Sequence, residues 1–213
     1  LINDKYGVNI CGFETTSLYG NIKSCSQYDG MKPFIRHVGE TESRFLLTMM
    51  GKESTISVTM QDMVMFTTSV VKGSKHCFIV GDLPYMSYQI SDEEAVRNAG
   101  KLMAIGCDAV KLEGGKEMAP RITAISNAGI PVVSHLGLTP QSLAQIGGYR
   151  IQGRSLASFK KLLNDIVAVE DAGAVFHLLE CVPEEVTAEL YKHVKNPLYG
   201  IGSGRNVDGQ LVI

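Results

Sequence analysis

Acidic residues follow two short apolar segments in the middle of the chain. Phe78–Val80 leads to Asp82, and Ala109–Leu112 leads directly to Glu113. Apolar runs of this length, flanked by Gly and Pro, are typical of buried parallel strands, so we predict both carboxylates at the same end of adjacent strands. Side chains alternate between the two faces of a strand, so Lys111 points the same way as Glu113. The spacing therefore predicts one cation and two carboxylates on a single rim.

Both metal binding and a purely structural role fit the residues of this rim. Asp82 and Glu113 offer hard oxygen ligands, and Mg²⁺ is commonly held by one or two carboxylates together with water and substrate oxygens. Carboxylates at strand ends also cap helices or pair with a lysine, and the spacing alone slightly favours that structural role. Lys111 is equally suited to neutralising an anionic substrate and to pairing with Glu113.

Three later segments place further polar groups at strand ends. Glu180 ends an apolar run, and a carboxylate in such surroundings has a raised pKa, which suits a general acid or base. Glu180 could instead be an N-cap partner for the helix that follows Pro183. His135 shares the rim, although a lone strand-end histidine is more often a hydrogen-bonded structural residue. The loop Gly200–Gly204, with Ser203, could bind an anion of the substrate or form a plain tight turn.

Helices and strands alternate regularly around these residues. Capping boxes are predicted at Thr59 and at Ser91 with Glu94, and Pro183 fits the first turn of a late helix. Predicted helices cover 59–73, 91–106, 120–128, 156–172 and a segment from 183, and predicted strands cover 77–82, 109–113, 131–137, 174–181, 196–201 and 210–213. The connection 138–155 is longer than most loops between a strand and a helix, which suggests a functional role.

This alternation predicts a parallel α/β fold in one domain, residues 1–213. A (β/α)₈ TIM barrel explains it best, because polar residues recur at the carboxyl ends of strands, where such barrels keep their sites. A doubly wound sheet is the alternative, and it would concentrate function at one switch point. A typical barrel needs about 250 residues. Residues 1–50 offer at most two weak strands, at 6–12 and 44–50, and the last strand stops at Ile213, so we expect a barrel incomplete at both termini.

Composition narrows the class of protein. Lys and Arg number 20 against 22 Asp and Glu, a formal charge of −2, so no basic field for nucleic acid is present. The sequence has no apolar run of 18 residues and no secretory signal, so we expect neither membrane insertion nor secretion. Its five cysteines are odd in number and lack C-x-x-C spacing, which fits reduced thiols in the cytoplasm.

Six ordered segments closely resemble the ketopantoate hydroxymethyltransferase family, in one register over about residues 51–213. They are V-G-D-L-P-Y-M-S-Y (80–88), V-K-L-E-G-G (110–115), G-I-P-V-V-S-H-L-G-L-T-P-Q-S (129–142), G-G-Y-R-I-Q-G-R (147–154), L-L-E-C-V-P (178–183) and G-I-G-S-G…D-G-Q (200–210). The match extends back to G-K-E-S-T-I-S-V-T-M-Q-D (51–62). Each string alone is a weak signal, whereas the ordered series is a strong one.

The resemblance implies an Mg²⁺-dependent barrel enzyme of pantothenate biosynthesis. Such enzymes transfer a hydroxymethyl group from 5,10-methylenetetrahydrofolate to 3-methyl-2-oxobutanoate, giving 2-dehydropantoate. By resemblance, Asp82 and Glu113 are metal ligands, Lys111 contacts the 2-oxo acid, Glu180 is the general base and His135 lies near the transferred group.

We also predict that Asp82 and Ser203 contact the substrate. The family forms large homo-oligomers, commonly decamers, so the resemblance implies a homo-oligomer. Small molecules, a 2-oxo acid and a folate, are the expected ligands.

The sequence departs from the family at one motif. The family carries Gly-Asp-Ser at the end of its second strand, where the Asp is a metal ligand and the Ser helps to hold the substrate carboxylate. Here Phe45–Met50 occupies that place, and no Gly-Asp-Ser occurs in the chain. Glu14, Ser17 and Asp29 are candidates to replace it.

Two alternatives therefore stay open. One is an Mg²⁺-dependent lyase or mutase of the phosphoenolpyruvate mutase and isocitrate lyase group, which also binds 2-oxo acids, although no K-K-C-G-H-type motif is present. The other is a binding homologue impaired in catalysis.

Overall fold

Seven parallel strands form the centre of the fold. The computed structural model describes the backbone of residues 35–38, together with residues 54–74 and 77–211. The strands are β1 (Ile35–Val38), β2 (Phe78–Asp82), β3 (Ala109–Glu113), β4 (Val132–Gly137), β5 (Ala174–Glu180), β6 (Leu198–Ile201) and β7 (Gly209–Gln210). Each strand pairs in parallel with the next one in the chain, so their spatial order is their sequence order.

Helices fill most of the connections. They are α1 (Met60–Gly73), α2 (Asp92–Ala104), α3 (Ala119–Asn127), α4 (Leu143–Ile146), α5 (Leu156–Asp171) and α6 (Glu184–Tyr191). A sequential parallel order is typical of a barrel wall, whereas a doubly wound sheet reverses its strand order at a switch point. The doubly wound alternative is therefore wrong for the described strands. Within the described residues β1 and β7 each pair with a single neighbour, so the structure shows a parallel α/β sheet and not a closed eight-stranded barrel.

The sheet is strongly curved. The rings of Phe78 on β2 and Phe176 on β5 have centroids 6.3 Å apart, although two strands lie between them. In a flat sheet these positions would be separated by about 14 Å, three times the spacing of neighbouring strands. The face that carries both rings is therefore the concave, inner face.

The outer face packs against the helices and is almost entirely apolar. Buried residues at alternate strand positions, among them Ile79, Val110 and Leu179, form one continuous core with the helices. A fully buried polar pair interrupts this core, because Ser134 Oγ lies 2.8 Å from Nδ1 of His177. On the inner face, apolar side chains occupy the lower positions of the strands, and charged ones occupy the carboxyl ends.

Helix ends follow local sequence signals. Thr59 and Asp62 form the predicted capping box at the start of α1. At α2 only half of the predicted box exists. Ser91 accepts the Glu94 N–H, but the Glu94 carboxylate bonds Asn98 and Arg97 instead.

Other boundaries differ from prediction by one or two residues. Pro183 precedes α6 rather than lying in its first turn. The predicted strand 196–201 begins at Leu198, because its first residues turn around Pro197.

Two regions were not predicted. β1 lies between the two weak strands proposed for 6–12 and 44–50, which fall outside the described residues. The connection 138–155 is not one continuous loop, since it contains a 3₁₀ turn at Pro140–Ser142 and the short helix α4. In the described part of the chain, no helix has the length and apolar character needed to cross a membrane. The three cysteines there, Cys77, Cys107 and Cys181, form no disulfide.

Candidate active site

The carboxyl ends of β2 and β3 bring the first predicted pair together. Asp82 is the last residue of β2 and lies beside Lys111 in the parallel register. Lys111 Nζ is 3.0 Å from Asp82 Oδ2, and the lysine side chain is fully buried. A lysine ammonium is rarely buried without a counter-ion, so this contact stabilises both charges.

His135 on β4 connects this pair to the second carboxylate of the rim. Its Nδ1 lies 3.2 Å from Lys111 Nζ and 3.6 Å from Glu113 Oε1. Glu113 and His135 are partners in the β3–β4 register, which explains their proximity. Lys111 can donate to Nδ1 only while His135 is neutral with its proton on Nε2, and the protonated ring carries a proton on both nitrogens, so Nε2 is a donor in either state.

Glu180 completes the group from the end of β5. Its Oε2 lies 3.0 Å from His135 Nε2, the nitrogen that carries the proton. Burial and the Lys111 cation lower the pKa of His135, but the Glu113 and Glu180 carboxylates outweigh them and raise it to about 9. The structure thus joins, in one continuous chain of contacts, all five rim residues predicted on β2 to β5: Asp82, Lys111, Glu113, His135 and Glu180.

The charges of this group favour a cation. Three carboxylates and two basic side chains leave one negative charge in excess, inside a region that is almost fully buried. Asp82 Oδ1 is buried and has no hydrogen-bond partner among the described residues. Burial, opposed by Lys111 and reinforced by Glu113, raises the pKa of Asp82 to about 6. An orphaned carboxylate oxygen beside a second carboxylate fits an oxygen-preferring divalent cation.

The protein supplies only part of a coordination shell here. Within the described residues, no group of three or more His, Cys, Asp or Glu side chains is arranged to hold a metal ion. Two carboxylates fit Mg²⁺, which commonly keeps water and substrate oxygens as its other ligands. A small open pocket reaches these two carboxylates, and its wall includes Tyr85, Pro84 and Gln141.

Sequence reasoning missed two residues that contact the rim. The Gln141 backbone N–H donates to Glu113 Oε2 at 2.9 Å, and the Tyr88 hydroxyl contacts the Glu113 backbone. Both residues lie in loops that follow strands carrying rim side chains. Their position in loops after such strands could have marked them as neighbours of the site, whereas their residue types by themselves suggest no chemistry.

Ser203 lies away from the charged group. It is fully buried, and its hydroxyl donates to the Leu179 carbonyl at 2.7 Å, and it also lies 3.4 Å from the Val182 N–H. These bonds tie the loop after β6 to the segment that follows Glu180. Its predicted contact with substrate stays a prediction.

A comparison with known families identifies the group to which the chain belongs. The family model for ketopantoate hydroxymethyltransferase matches residues 38–213, which include every rim residue described above. The chain belongs to the ketopantoate hydroxymethyltransferase family.

Individual members of this family are closely similar to the chain. It is 46% identical over 168 residues to 3-methyl-2-oxobutanoate hydroxymethyltransferase of Campylobacter jejuni, which covers 78% of this chain and 61% of that protein. The enzyme of the same name from Geobacillus thermodenitrificans is 47% identical over 168 residues, covering 78% and 60%. The chain thus matches about three fifths of the length of these relatives.

Solved structures support the fold. The chain resembles a 2,3-dimethylmalate lyase of the phosphoenolpyruvate mutase and isocitrate lyase superfamily, with a TM-score of 0.60 at 17% identity, covering 84% of this chain and 64% of that one. A phosphoenolpyruvate phosphomutase from Streptomyces platensis gives a TM-score of 0.58 at 16% identity, covering 82% and 62%. At such identities the likeness concerns the fold alone. Sequence similarity therefore places the chain with the ketopantoate hydroxymethyltransferases rather than with the lyases.

Proposed function

We propose that this chain carries the active-site rim of a hydroxymethyltransferase that converts 3-methyl-2-oxobutanoate into 2-dehydropantoate, with 5,10-methylenetetrahydrofolate as one-carbon donor. The observation that carries the proposal is the buried contact chain from Asp82 to Glu180 in a member of this family. We further propose that the described strands belong to a (β/α)₈ barrel, and that the protein is a cytoplasmic homo-oligomer, a decamer by family resemblance.

Asp82 and Glu113 would hold Mg²⁺ at the open side of the rim. Both line the pocket, and the free Oδ1 of Asp82 supplies an oxygen that nothing else in the described structure uses. A bound Mg²⁺ supplies a Lewis acid for the substrate oxygens. The family's Gly-Asp-Ser motif is absent from this chain, so Asp82 and Glu113 are the two protein ligands of the proposal.

Glu180 is the proposed general base. Its carboxylate accepts the proton from C3 of the 2-oxo acid, and the electron pair of that C–H bond forms the enolate. His135 Nε2 lies 3.0 Å from Glu180 Oε2, an ion-pair contact directly beside the proposed base. The enolate carbon then attacks the methylene carbon of 5,10-methylenetetrahydrofolate, forming the new C–C bond as one C–N bond breaks. Water supplies the hydroxyl group as the second C–N bond breaks, and tetrahydrofolate leaves with its two nitrogens protonated by water and by the proton held on Glu180.

Lys111 provides the positive charge of the site. It contacts Asp82 and His135 from the next strands on either side, so its position is fixed before substrate arrives. A preorganised cation stabilises negative charge that develops on the 2-oxo acid without reorganisation cost at the moment of reaction.

A lyase or mutase acting on a 2-oxo acid is the second candidate, favoured by the fold similarity to 2,3-dimethylmalate lyase and phosphoenolpyruvate phosphomutase. It predicts cleavage or rearrangement of a 2-oxo acid when folate is withheld. The hydroxymethyltransferase predicts no such net conversion, only exchange of the C3 proton.

The test is the formation of 2-dehydropantoate by the purified full-length protein, followed by mass spectrometry with and without 5,10-methylenetetrahydrofolate and Mg²⁺. We expect product only when both are present. Absence of product from a folded, metal-supplied protein would count against the proposal, and 2-oxo acid cleavage without folate would favour the lyase.

A further inference from the structure

Three loops meet at a buried hydroxyl beside the rim. The Tyr88 side chain is fully buried, and its oxygen lies 2.7 Å from Gln141 Oε1 and 3.1 Å from both the backbone nitrogen and the backbone oxygen of Glu113. The hydroxyl has a single proton, so it donates to one carbonyl oxygen at a time and accepts the Glu113 N–H. Tyr88 thus contacts the backbone of the candidate ligand on both sides of its Cα.

Gln141 holds the same residue from the opposite loop. Its backbone N–H donates to Glu113 Oε2 at 2.9 Å, and its side-chain Nε2 donates to the Leu83 carbonyl at 2.9 Å. Leu83 directly follows Asp82, so one glutamine is bonded to the two segments that carry both candidate ligands. Its Oε1 accepts from Tyr88 and from Gln89 Nε2, which leaves no polar atom of the side chain unused.

The loop that carries Tyr88 is itself fixed to two helices. Asn98 on α2 donates to the Ser87 carbonyl at 2.7 Å, and Arg121 on α3 donates to the Tyr88 carbonyl at 3.1 Å. Asn98 is only 3% exposed, so the first of these bonds is sheltered from water. A site is held accurately when the residues around its ligands are fixed by packing and hydrogen bonds.

We propose that the side chains of Tyr88 and Gln141 form a clamp that positions Glu113, and through Leu83 also Asp82, for binding a divalent cation. This inference rests on the proposed function, because it takes the two carboxylates as the cation ligands. Neither clamp residue contacts substrate in this account; both are positioning residues. Groups of this kind, hydrogen-bonded to metal ligands, typically contribute about 10- to 100-fold to metal affinity.

The decisive readout is metal affinity rather than activity. Mn²⁺ is titrated into the full-length protein and its unbound fraction is followed by electron paramagnetic resonance, with Mg²⁺ added as competitor. The variants are Tyr88→Phe, which removes one oxygen, and Gln141→Met, which keeps the backbone N–H but removes the amide. Tyr149→Phe is the matched control, because Tyr149 is 70% exposed and makes no hydrogen bond to the clamp residues in the described structure. Thermal unfolding of each variant shows that it is folded at the titration temperature.

We expect Tyr88→Phe and Gln141→Met to bind Mn²⁺ about 10- to 100-fold more weakly than the unaltered protein, and Tyr149→Phe to bind it equally well. A lower melting temperature with unchanged Mn²⁺ affinity in both clamp variants would make the two residues merely structural and overturn the inference. Equal weakening in Tyr149→Phe would also overturn it. If the unaltered protein binds no Mn²⁺, the proposed metal-dependent function fails and the clamp fails with it, an outcome distinct from the first two.

Discussion

Two fully buried histidines on neighbouring strands show how the two faces of the sheet differ. His135 on β4 points to the inner face, where the carboxylates of Glu113 and Glu180 raise its pKa to about 9 against the opposing effects of burial and Lys111. His177 on β5 points to the outer face, where burial lowers its pKa to about 4 and the Glu170 charge opposes this only weakly. Both side chains have no solvent exposure, so burial alone does not decide their charge.

The neighbours of each histidine explain the contrast. His135 lies within 3.6 Å of two carboxylates and of Lys111, all at the carboxyl ends of parallel strands. His177 has a hydroxyl, that of Ser134, as its hydrogen-bond partner in an apolar core. One face therefore collects charges that can do chemistry, and the other tolerates a single neutral polar pair.

Replacing each histidine by leucine tests this contrast most strongly. His135→Leu leaves three carboxylates and Lys111 without their central partner, and we expect the free energy of unfolding to fall by about 3–5 kcal/mol, as for other broken buried ion pairs. His177→Leu leaves only the Ser134 hydroxyl unpaired, and we expect a loss of about 2 kcal/mol. Urea unfolding at neutral pH measures both, and similar losses in the two variants would remove the distinction.

Acid should destabilise the protein through His177. Its pKa is about 4 when folded and about 6.5 when unfolded, so the unfolded chain takes up a proton first as the pH falls. The contribution of neutral His177 is therefore complete above pH of about 6.5 and is lost as the pH approaches about 4, a change of about 3 kcal/mol. The unfolding free energy of the unaltered protein minus that of His177→Leu should fall by that amount across this range and change sign, so that the variant is the more stable of the two in acid. A difference that stays constant with pH would contradict the assignment.

Ser134→Ala gives the smallest expected effect. It removes the hydrogen-bond partner of His177 Nδ1 on the outer face, and we expect a loss of about 1 kcal/mol in the free energy of unfolding. Metal binding and turnover should stay unchanged, because the Ser134–His177 pair lies on the face of the sheet opposite the rim side chains. A loss of activity in a variant that is still folded would show that the two faces are coupled.

Much of this arrangement could be predicted from sequence. Short apolar runs ending in Asp82, Glu113 and Glu180 predict strands with acidic ends, and the alternation of side chains places Lys111 on the same face as Glu113. Parallel strands bring those ends to one edge, so the rim followed from local patterns. The same reasoning missed β1, because no apolar run or periodicity marks Ile35–Val38.

Other features depend on contacts between distant segments. The 3.0 Å contact of His135 with Glu180 joins residues 45 positions apart, and its existence depends on the β4–β5 register, which one bulge near Val132 adjusts. Tyr88 and Gln141 were missed for the same reason, since they meet Glu113 across 25 and 28 positions. The opposite charge states of the two histidines likewise follow from their surroundings and not from their local sequences.

The central claim is that the inner-face rim abstracts a proton from a 2-oxo acid. Exchange of the C3 proton of 3-methyl-2-oxobutanoate in D₂O tests it most directly. The exchange is followed by nuclear magnetic resonance with Mg²⁺ present. We predict exchange by the unaltered protein, its loss on chelation of the metal, and a fall of about 10²- to 10⁴-fold in Glu180→Gln. His177→Leu, altered on the outer face, should exchange at the unaltered rate. Exchange that persists in folded Glu180→Gln, or its absence from the folded, Mg²⁺-supplied protein, would contradict the account.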